Sequence, residues 1–119
     1  MIEENLVRIL FERALKITTA ESCTGGMIAS TLVNVAGVSD VFESGYITYS
    51  EEAKMHVLGV KQETLDKYTV YSEEVAREMA EGAARAAGAD AALSVSVLIK
   101  LIQYKIKSIQ MLKKMYMLY

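Results

Sequence analysis

The apolar and polar positions of the chain follow two alternating repeats, one helical and one extended. Apolar residues at near-helical spacing, among them Leu6, Ile9 and Leu10, predict an amphipathic helix near the N-terminus. Short runs of β-branched or small residues, bounded by glycine or serine, predict strands. The predicted helices are residues 2–15, 27–35, 51–57, 62–67 and 73–87, and the predicted strands are residues 16–20, 44–49 and 89–96.

Strands that alternate with helices predict an α/β fold, in which helices cover both faces of one sheet. Helical crossovers favour parallel pairing, so we expect a mostly parallel or mixed sheet. Two helix boundaries have clear chemical signals. Ser50 and Ser72 are predicted N-caps, and Gly59 and Gly88 are predicted to end the same two helices.

The last 23 residues differ from the rest in charge and composition. All 15 acidic residues lie within 1–96, whereas residues 97–119 contain five lysines, no acid and many apolar residues. This change predicts a domain at 1–96 followed by a divergent basic amphipathic tail at 97–119, which we expect to be helical. A helix of this kind can lie on anionic lipid, so a role at a membrane surface is one alternative for the tail.

Composition excludes several functional classes. The net charge of −2 gives no case for nucleic-acid binding. The single cysteine, Cys23, excludes an intrachain disulfide and fits a cytoplasmic location. The N-terminus lacks the pattern of a secretory signal, and no apolar run is long enough for stable membrane insertion. His56 has no histidine or cysteine partner at ligand spacing, so no metal site is predicted.

The turn after the first predicted strand is the first candidate site. Ser22 and Thr24 supply hydroxyls, and Gly25 and Gly26 open the next helix, whose free N–H groups attract an anion or an oxyanion. The spacing matches neither a phosphate-binding P-loop nor a dinucleotide fingerprint. Cys23 in this turn is either a nucleophile near a helix N-terminus or a buried structural cysteine.

Ser39, Tyr49 and Lys54 form the second candidate site. A lysine whose ammonium form is destabilised by burial can take the proton of a serine hydroxyl, which then attacks an amide. The alternative for each residue is structural. Lys54 can be a solvated surface lysine, Tyr49 a tyrosine at the edge of the core, and Ser39 the cap of a turn.

Several segments together resemble a known family. The run Thr19-Ala20-Glu21-Ser22-Cys23-Thr24-Gly25-Gly26 is similar to the opening motif of the CinA C-terminal domain of competence/damage-inducible proteins, which also occurs alone as nicotinamide-mononucleotide deamidase. The run Gly45-Tyr46-Ile47-Thr48-Tyr49-Ser50-Glu51-Glu52-Ala53-Lys54 resembles the second signature of that family. With shorter matches at residues 58–60, 70–76 and 88–90, the resemblance covers about residues 5–96 in the family's order.

The resemblance implies a three-layer α/β/α sandwich that is often dimeric, so a homodimer or higher homo-oligomer is expected. It implies hydrolysis of nicotinamide mononucleotide to nicotinate mononucleotide and ammonia, without a metal or organic cofactor. By the same resemblance Ser39 is the nucleophile, Lys54 the base and Tyr49 a site tyrosine, while Ser22 is a rival nucleophile. The implied substrate-binding residues are Glu21, Thr24, Gly25, Gly26 and Ser96.

The resemblance stops after Ser96. The family continues with a Gly-Ile-Ala-Gly-Pro run, further strands and a substrate-binding arginine, whereas this chain continues with Val97-Leu98-Ile99-Lys100. We interpret the change as a truncation or a reading-frame change, which leaves the sheet incomplete at its C-terminal end. The alternative function is therefore a catalytically inactive remnant that binds nucleotide or self-assembles. An exposed sheet edge would favour strand exchange or dimerisation through the tail.

Overall fold

A computed structural model describes residues 1–96 and the backbone of Ile99–Gln103. The helices are α1 (Ile2–Glu12), α2 (Met27–Val33), α3 (Glu51–Leu58), α4 (Gln62–Tyr68) and α5 (Glu73–Ala87). The strands are β1 (Ile17–Glu21), β2 (Phe42–Ile47), β3 (Ala91–Val95) and β4 (Ile99–Gln103), and a 3₁₀ turn, Val38–Asp40, precedes β2. The predicted segments up to residue 96 are therefore confirmed, with ends shifted by a few residues.

The four strands form one mixed sheet in the order β2-β1-β3-β4. β1 pairs in parallel with both β2 and β3, and β3 pairs antiparallel with β4. In this register Glu21 of β1 lies between Ile47 of β2 and Val95 of β3. Since parallel strands end at the same edge, residues 22, 48 and 96 are brought together at the carboxyl edge of the sheet, where open α/β sheets usually bind ligands.

Two apolar clusters cover the two faces of the sheet, so the predicted three-layer α/β/α arrangement is confirmed. On one face α1 and α2 contribute buried residues such as Leu6, Leu10 and Leu32. On the other face α3, α4 and α5 contribute Leu58, Leu65 and Met79. β1 and β3 are buried along their whole length, while β2 alternates between half-buried and exposed positions, as an edge strand does.

The predicted helix boundaries are also confirmed. Ser50 Oγ accepts a hydrogen bond from the N–H of Ala53, and Ser72 Oγ accepts one from the N–H of Val75. Gly59 and Gly88 follow the last residues of α3 and α5 with φ of 73° and 63°. These two helices are therefore begun and ended by their own local chemistry.

The prediction that the tail is helical is wrong for its first described segment. Ile99–Gln103 forms β4, antiparallel to β3, with Ile99 opposite Val95 and Gln103 opposite Ala91. The backbone hydrogen bonds of β3 that we expected to remain open are thereby paired. The rest of the predicted tail helix, residues 97–98 and 104–119, lies outside the described residues.

Candidate active site

The turn that follows β1 is organised around the side chain of Glu21. This side chain is fully buried, and its Oε1 accepts hydrogen bonds from Thr24 Oγ1 at 2.6 Å and from the N–H groups of Gly26 and Ile28 at 3.1 and 3.0 Å. Its Oε2 accepts the N–H of Ala29 at 3.0 Å. Burial raises the pKa of Glu21, but these four donors outweigh burial and the pKa lies below its ordinary value.

The expectation of an open anion site at the start of α2 is therefore wrong. The N–H groups of Gly26, Ile28 and Ala29 already donate to Glu21, and the N–H of Gly25 donates to the carbonyl of Ser22. The chain's own carboxylate occupies the position expected for a ligand. The glycines have a conformational role instead, since Gly25 and Gly26 have φ of 59° and 107°. That Glu21 binds substrate stays a prediction, while in the structure its carboxylate accepts hydrogen bonds from Thr24 and from the start of α2.

Lys54 is a buried lysine, only 2% exposed, in the second turn of α3. Its Nζ lies 3.0 Å from Ser22 Oγ, 2.8 Å from the carbonyl oxygen of Thr48 and 3.2 Å from that of Tyr49. Within the described part of the chain, no carboxylate lies within ion-pair distance of Nζ. Burial lowers the pKa of Lys54, and electrostatic interactions with Glu51 and Cys23 offset the effect only in part.

These three contacts can be made by the Lys54 amine in either charge state, since an ammonium has three N–H donors for the three oxygens. A neutral lysine has two N–H donors and one lone pair, and the carbonyls of Thr48 and Tyr49 can accept only the donors. As the ammonium, Nζ donates to Ser22 Oγ, and as the neutral amine it directs its lone pair at this hydroxyl. The alternative of a solvated surface lysine is excluded by this burial, and the role of Lys54 as a base stays a prediction.

The predicted contact between Ser39 and Lys54 is not formed within the chain. Ser39 is exposed in the 3₁₀ turn at the amino end of β2, whereas Lys54 contacts residues that follow the carboxyl end of that strand. At about 3.3 Å per residue, the six residues of β2 separate the two ends by roughly 17 Å. Ser22, the rival serine, is the hydroxyl that the fold places against Lys54.

A pocket opens beside this serine and lysine. Its volume is about 470 Å³, and its lining is Ser22, Cys23, Tyr49, Ser50, Glu51, Lys54, Val70, Tyr71 and Ser96. Thus Ser22, Tyr49, Lys54 and Ser96 are brought together as predicted, whereas Ser39, Glu21, Thr24, Gly25 and Gly26 lie outside the lining. Cys23 is exposed rather than buried, and its thiol donates to the carbonyl of Ser96.

Sequence reasoning missed one wall of the pocket. Val70 and Tyr71 lie in the loop between α4 and α5, and Tyr71 is 69% exposed although it lines the cavity. Ser96 Oγ donates to the carbonyl of Val70 at 2.8 Å, which ties this loop to the end of β3. The available signal was an aromatic residue in a loop directly before the N-cap Ser72.

Other site types have no support among the described residues. His56 is exposed on α3, and no group of three or more histidine, cysteine or acidic side chains in the described ranges is placed to hold a metal ion. The helices in the same part of the chain are too short or too polar to cross a lipid bilayer.

Comparison with known proteins gives a consistent result. The family model described as the CinA C-terminal domain matches residues 1–97. A CinA-like protein of Kosmotoga olearia is 57% identical over 95 residues, which are 80% of this chain and 23% of that protein. A putative competence-damage inducible protein of Clostridium botulinum is 53% identical over 96 residues, which are 81% of this chain and 24% of that protein.

Solved structures agree with the sequence comparison. A competence-damaged protein (CinA) superfamily protein from Escherichia coli superposes with a TM-score of 0.77 at 40% identity, covering 78% of this chain and 54% of that one. Competence damage-inducible protein A from Klebsiella pneumoniae gives a TM-score of 0.76 at 40% identity, covering 78% and 58%. The chain spans about a quarter of these curated relatives and just over half of these solved chains, so its sheet is incomplete relative to theirs.

Proposed function

Since the chain belongs to the CinA C-terminal domain family, we propose that it is an amide hydrolase in which Ser22 is the nucleophile and Lys54 the general base. The proposed reaction converts nicotinamide mononucleotide to nicotinate mononucleotide and ammonia. The substrate comes from the resemblance of the sequence to the deamidase form of this domain. The observation that carries the assignment of the residues is the set of three contacts made by the Lys54 amine.

The first half of the reaction follows from these contacts. The neutral amine of Lys54 accepts the proton of Ser22, and the serine oxygen attacks the carbonyl carbon of the carboxamide. The resulting ammonium of Lys54 then gives its proton to the amide nitrogen, which leaves as ammonia. Ser22 remains joined to the acyl group as an ester.

The second half returns the enzyme to its starting state. Lys54 accepts a proton from a water molecule, and the hydroxide attacks the ester carbonyl. The bond to the serine oxygen breaks, Lys54 returns the proton to Ser22, and the carboxylic acid product leaves and loses its proton to solvent. The same amine thus serves as base and then acid in each half of the reaction, without a histidine.

The transition state places negative charge on the carbonyl oxygen, which needs hydrogen-bond donors nearby. Among the described residues, the N–H groups of Cys23 and Thr24 have no hydrogen-bond partner, and they directly follow Ser22 on the same turn. We assign the oxyanion to the N–H of Cys23, because Cys23 lines the pocket and Thr24 does not. The N–H groups of Gly26, Ile28 and Ala29 do not serve this role, because they already donate hydrogen bonds to the Glu21 carboxylate.

A comparison of the two candidate serines tests the proposal. Ammonia release from nicotinamide mononucleotide is measured for the wild type, Ser22→Ala and Ser39→Ala. We expect Ser22→Ala to lose activity by about a thousandfold or more, as loss of the nucleophile does in serine hydrolases. Ser39→Ala is expected to keep wild-type activity. Loss of activity in Ser39→Ala with retention in Ser22→Ala would overturn the assignment.

A titration of wild-type protein with the mononucleotide separates catalysis from binding alone. Binding together with ammonia release supports the hydrolase. Binding without any ammonia release contradicts it and supports the alternative of an inactive nucleotide-binding remnant, which the departure of the sequence after Ser96 favours.

A further inference from the structure

The loop of residues 69–71 forms one wall of the pocket, and its backbone is strained. Thr69 has φ of 67° and ψ of 169°, in a region that side-chain-bearing residues rarely occupy. Such backbone strain costs about 1–3 kcal/mol and persists only where the surrounding structure enforces it. It is concentrated at binding and catalytic sites, so its position beside the pocket is a reason to consider a function for this loop.

Hydrogen bonds on both sides hold the loop in this conformation. The carbonyl oxygen of Thr69 accepts a hydrogen bond from Ser72 Oγ at 2.7 Å. The hydroxyl oxygen of Thr69, Oγ1, accepts one from the N–H of Tyr71 at 3.3 Å. The carbonyl oxygen of the next residue, Val70, accepts a hydrogen bond at 2.8 Å from the hydroxyl of Ser96, a buried residue directly after β3. The loop is therefore fixed at its start by α5 and at its middle by the sheet.

The result of this arrangement is an aromatic ring presented to the pocket. Tyr71 lines the cavity and is 69% exposed, and Tyr49, which also lines it, is 77% exposed. Aromatic side chains that line a pocket are suited to contact a ligand's ring. Ser22 and Lys54 line the same cavity, so a substrate at the serine also lies beside the tyrosines.

We propose that Tyr71 is a specificity-determining residue that stacks against a planar aromatic ring of the substrate, and that the strained loop at Thr69 holds it in position. This inference rests on the proposed function, since it concerns the substrate of the same site. The substrate class is a planar aromatic ring that carries an exocyclic carboxamide. The ring contacts tyrosine while the carboxamide reaches Ser22.

The test measures binding with and without the aromatic ring. Nicotinamide mononucleotide and ribose 5-phosphate, which lacks the ring, are titrated into the wild type, Tyr71→Ala and Tyr71→Phe. We expect Tyr71→Ala to weaken binding of the mononucleotide by about two- to tenfold, the size of an aromatic pair interaction. Tyr71→Phe keeps the ring and is expected to bind as the wild type does. Binding of ribose 5-phosphate is expected to be equal in all three proteins.

Tyr68→Ala is the matched control. Tyr68 precedes the same loop and is 40% exposed, but it contacts Lys67, whose Nζ lies 5.2 Å from its ring centre, and it is not part of the pocket lining. We expect unchanged binding in this variant. In the active protein Tyr71→Ala should raise KM, with kcat within about twofold of the wild type, because a stacking contact is made equally in ground and transition state.

Two results would overturn the inference. In the first, Tyr71→Ala binds the mononucleotide as tightly as the wild type. In the second, it loses affinity equally for both ligands, which indicates a general disturbance of the pocket. If the wild type releases no ammonia but binds the mononucleotide in a Tyr71-dependent way, the hydrolase proposal fails while the role of Tyr71 is supported.

Discussion

Replacement of Lys54 by methionine should remove a dependence of stability on pH that the buried amine creates. Burial lowers the pKa of Lys54 in the folded protein below its ordinary value of 10.5. Between these two pKa values the unfolded chain holds a proton on Lys54 that the folded protein has released. Since stability rises with pH wherever the unfolded state binds more protons, the folded protein gains stability as pH rises through this window.

The size of the effect follows from one proton. Where that proton is fully taken up on unfolding, the free energy of unfolding rises by about 1.4 kcal/mol per pH unit. Below the folded-state pKa both states hold the proton, and this contribution to the slope vanishes. At neutral pH, Lys54→Met also leaves the buried carbonyl of Thr48 without its donor, at a cost of about 1–3 kcal/mol.

The assay is urea unfolding, followed by far-ultraviolet circular dichroism, at a series of pH values up to 10.5. The free energy of unfolding is compared between wild type, Lys54→Met and Lys61→Met, in which an exposed lysine is replaced. We expect the free energy of unfolding to rise less steeply with pH in Lys54→Met than in the wild type. In Lys61→Met it should rise as steeply as in the wild type. If the wild type and Lys54→Met have parallel curves, the amine is protonated as readily in the folded protein as in the unfolded chain, and the argument for a neutral base is refuted.

Three further substitutions test the fold around the site. Gly82→Ala on α5 would place a Cβ 1.8 Å from the backbone oxygen of Leu58, so we expect a loss of about 1–3 kcal/mol in urea unfolding. Ala14→Gly should raise stability by about 0.5–1 kcal/mol, because Ala14 is exposed at φ of 53° after α1; a fall would show that this backbone is not strained. Glu21→Gln should lower the free energy of unfolding at neutral pH by about 1–3 kcal/mol, because an amide nitrogen would face the N–H of Ala29. This difference from the wild type should shrink as pH falls below 4.5 and through the lowered pKa of Glu21, because the wild-type carboxylate is then protonated.

The secondary structure was predictable where local chemistry decides it. Ser50, Ser72, Gly59 and Gly88 bound their helices through contacts within a few residues, and the sequence contains all that these contacts need. The segment Ile99–Gln103 is different, because its apolar residues are compatible with either a helix or a strand. Pairing with β3 decides its conformation, and this long-range contact has no local signal.

The site was predictable in its residue types but not in its pairing. Ser39 is 15 positions from Lys54 along the chain and Ser22 is 32 positions away, yet the fold joins Lys54 to the more distant serine. The parallel register of β1 and β2 explains the outcome, since it places Glu21 beside Ile47 and so brings the next residues of both strands together. Register is a property of the sheet, and a single sequence does not contain it in readable form.

Two buried ionisable residues, Glu21 at the end of β1 and Lys54 on α3, show how the environment separates charge states. Glu21 is fully buried and stays ionised, because four donors compensate for the loss of water. Lys54 is buried to almost the same extent, but its partners are two carbonyls and a hydroxyl, and no carboxylate in the described residues pairs with it. Burial therefore acts on the lysine without full compensation and favours its neutral form. The charge of Glu21 holds the turn that carries Ser22, while the lowered pKa of Lys54 favours the neutral amine that the proposed proton exchange with Ser22 requires.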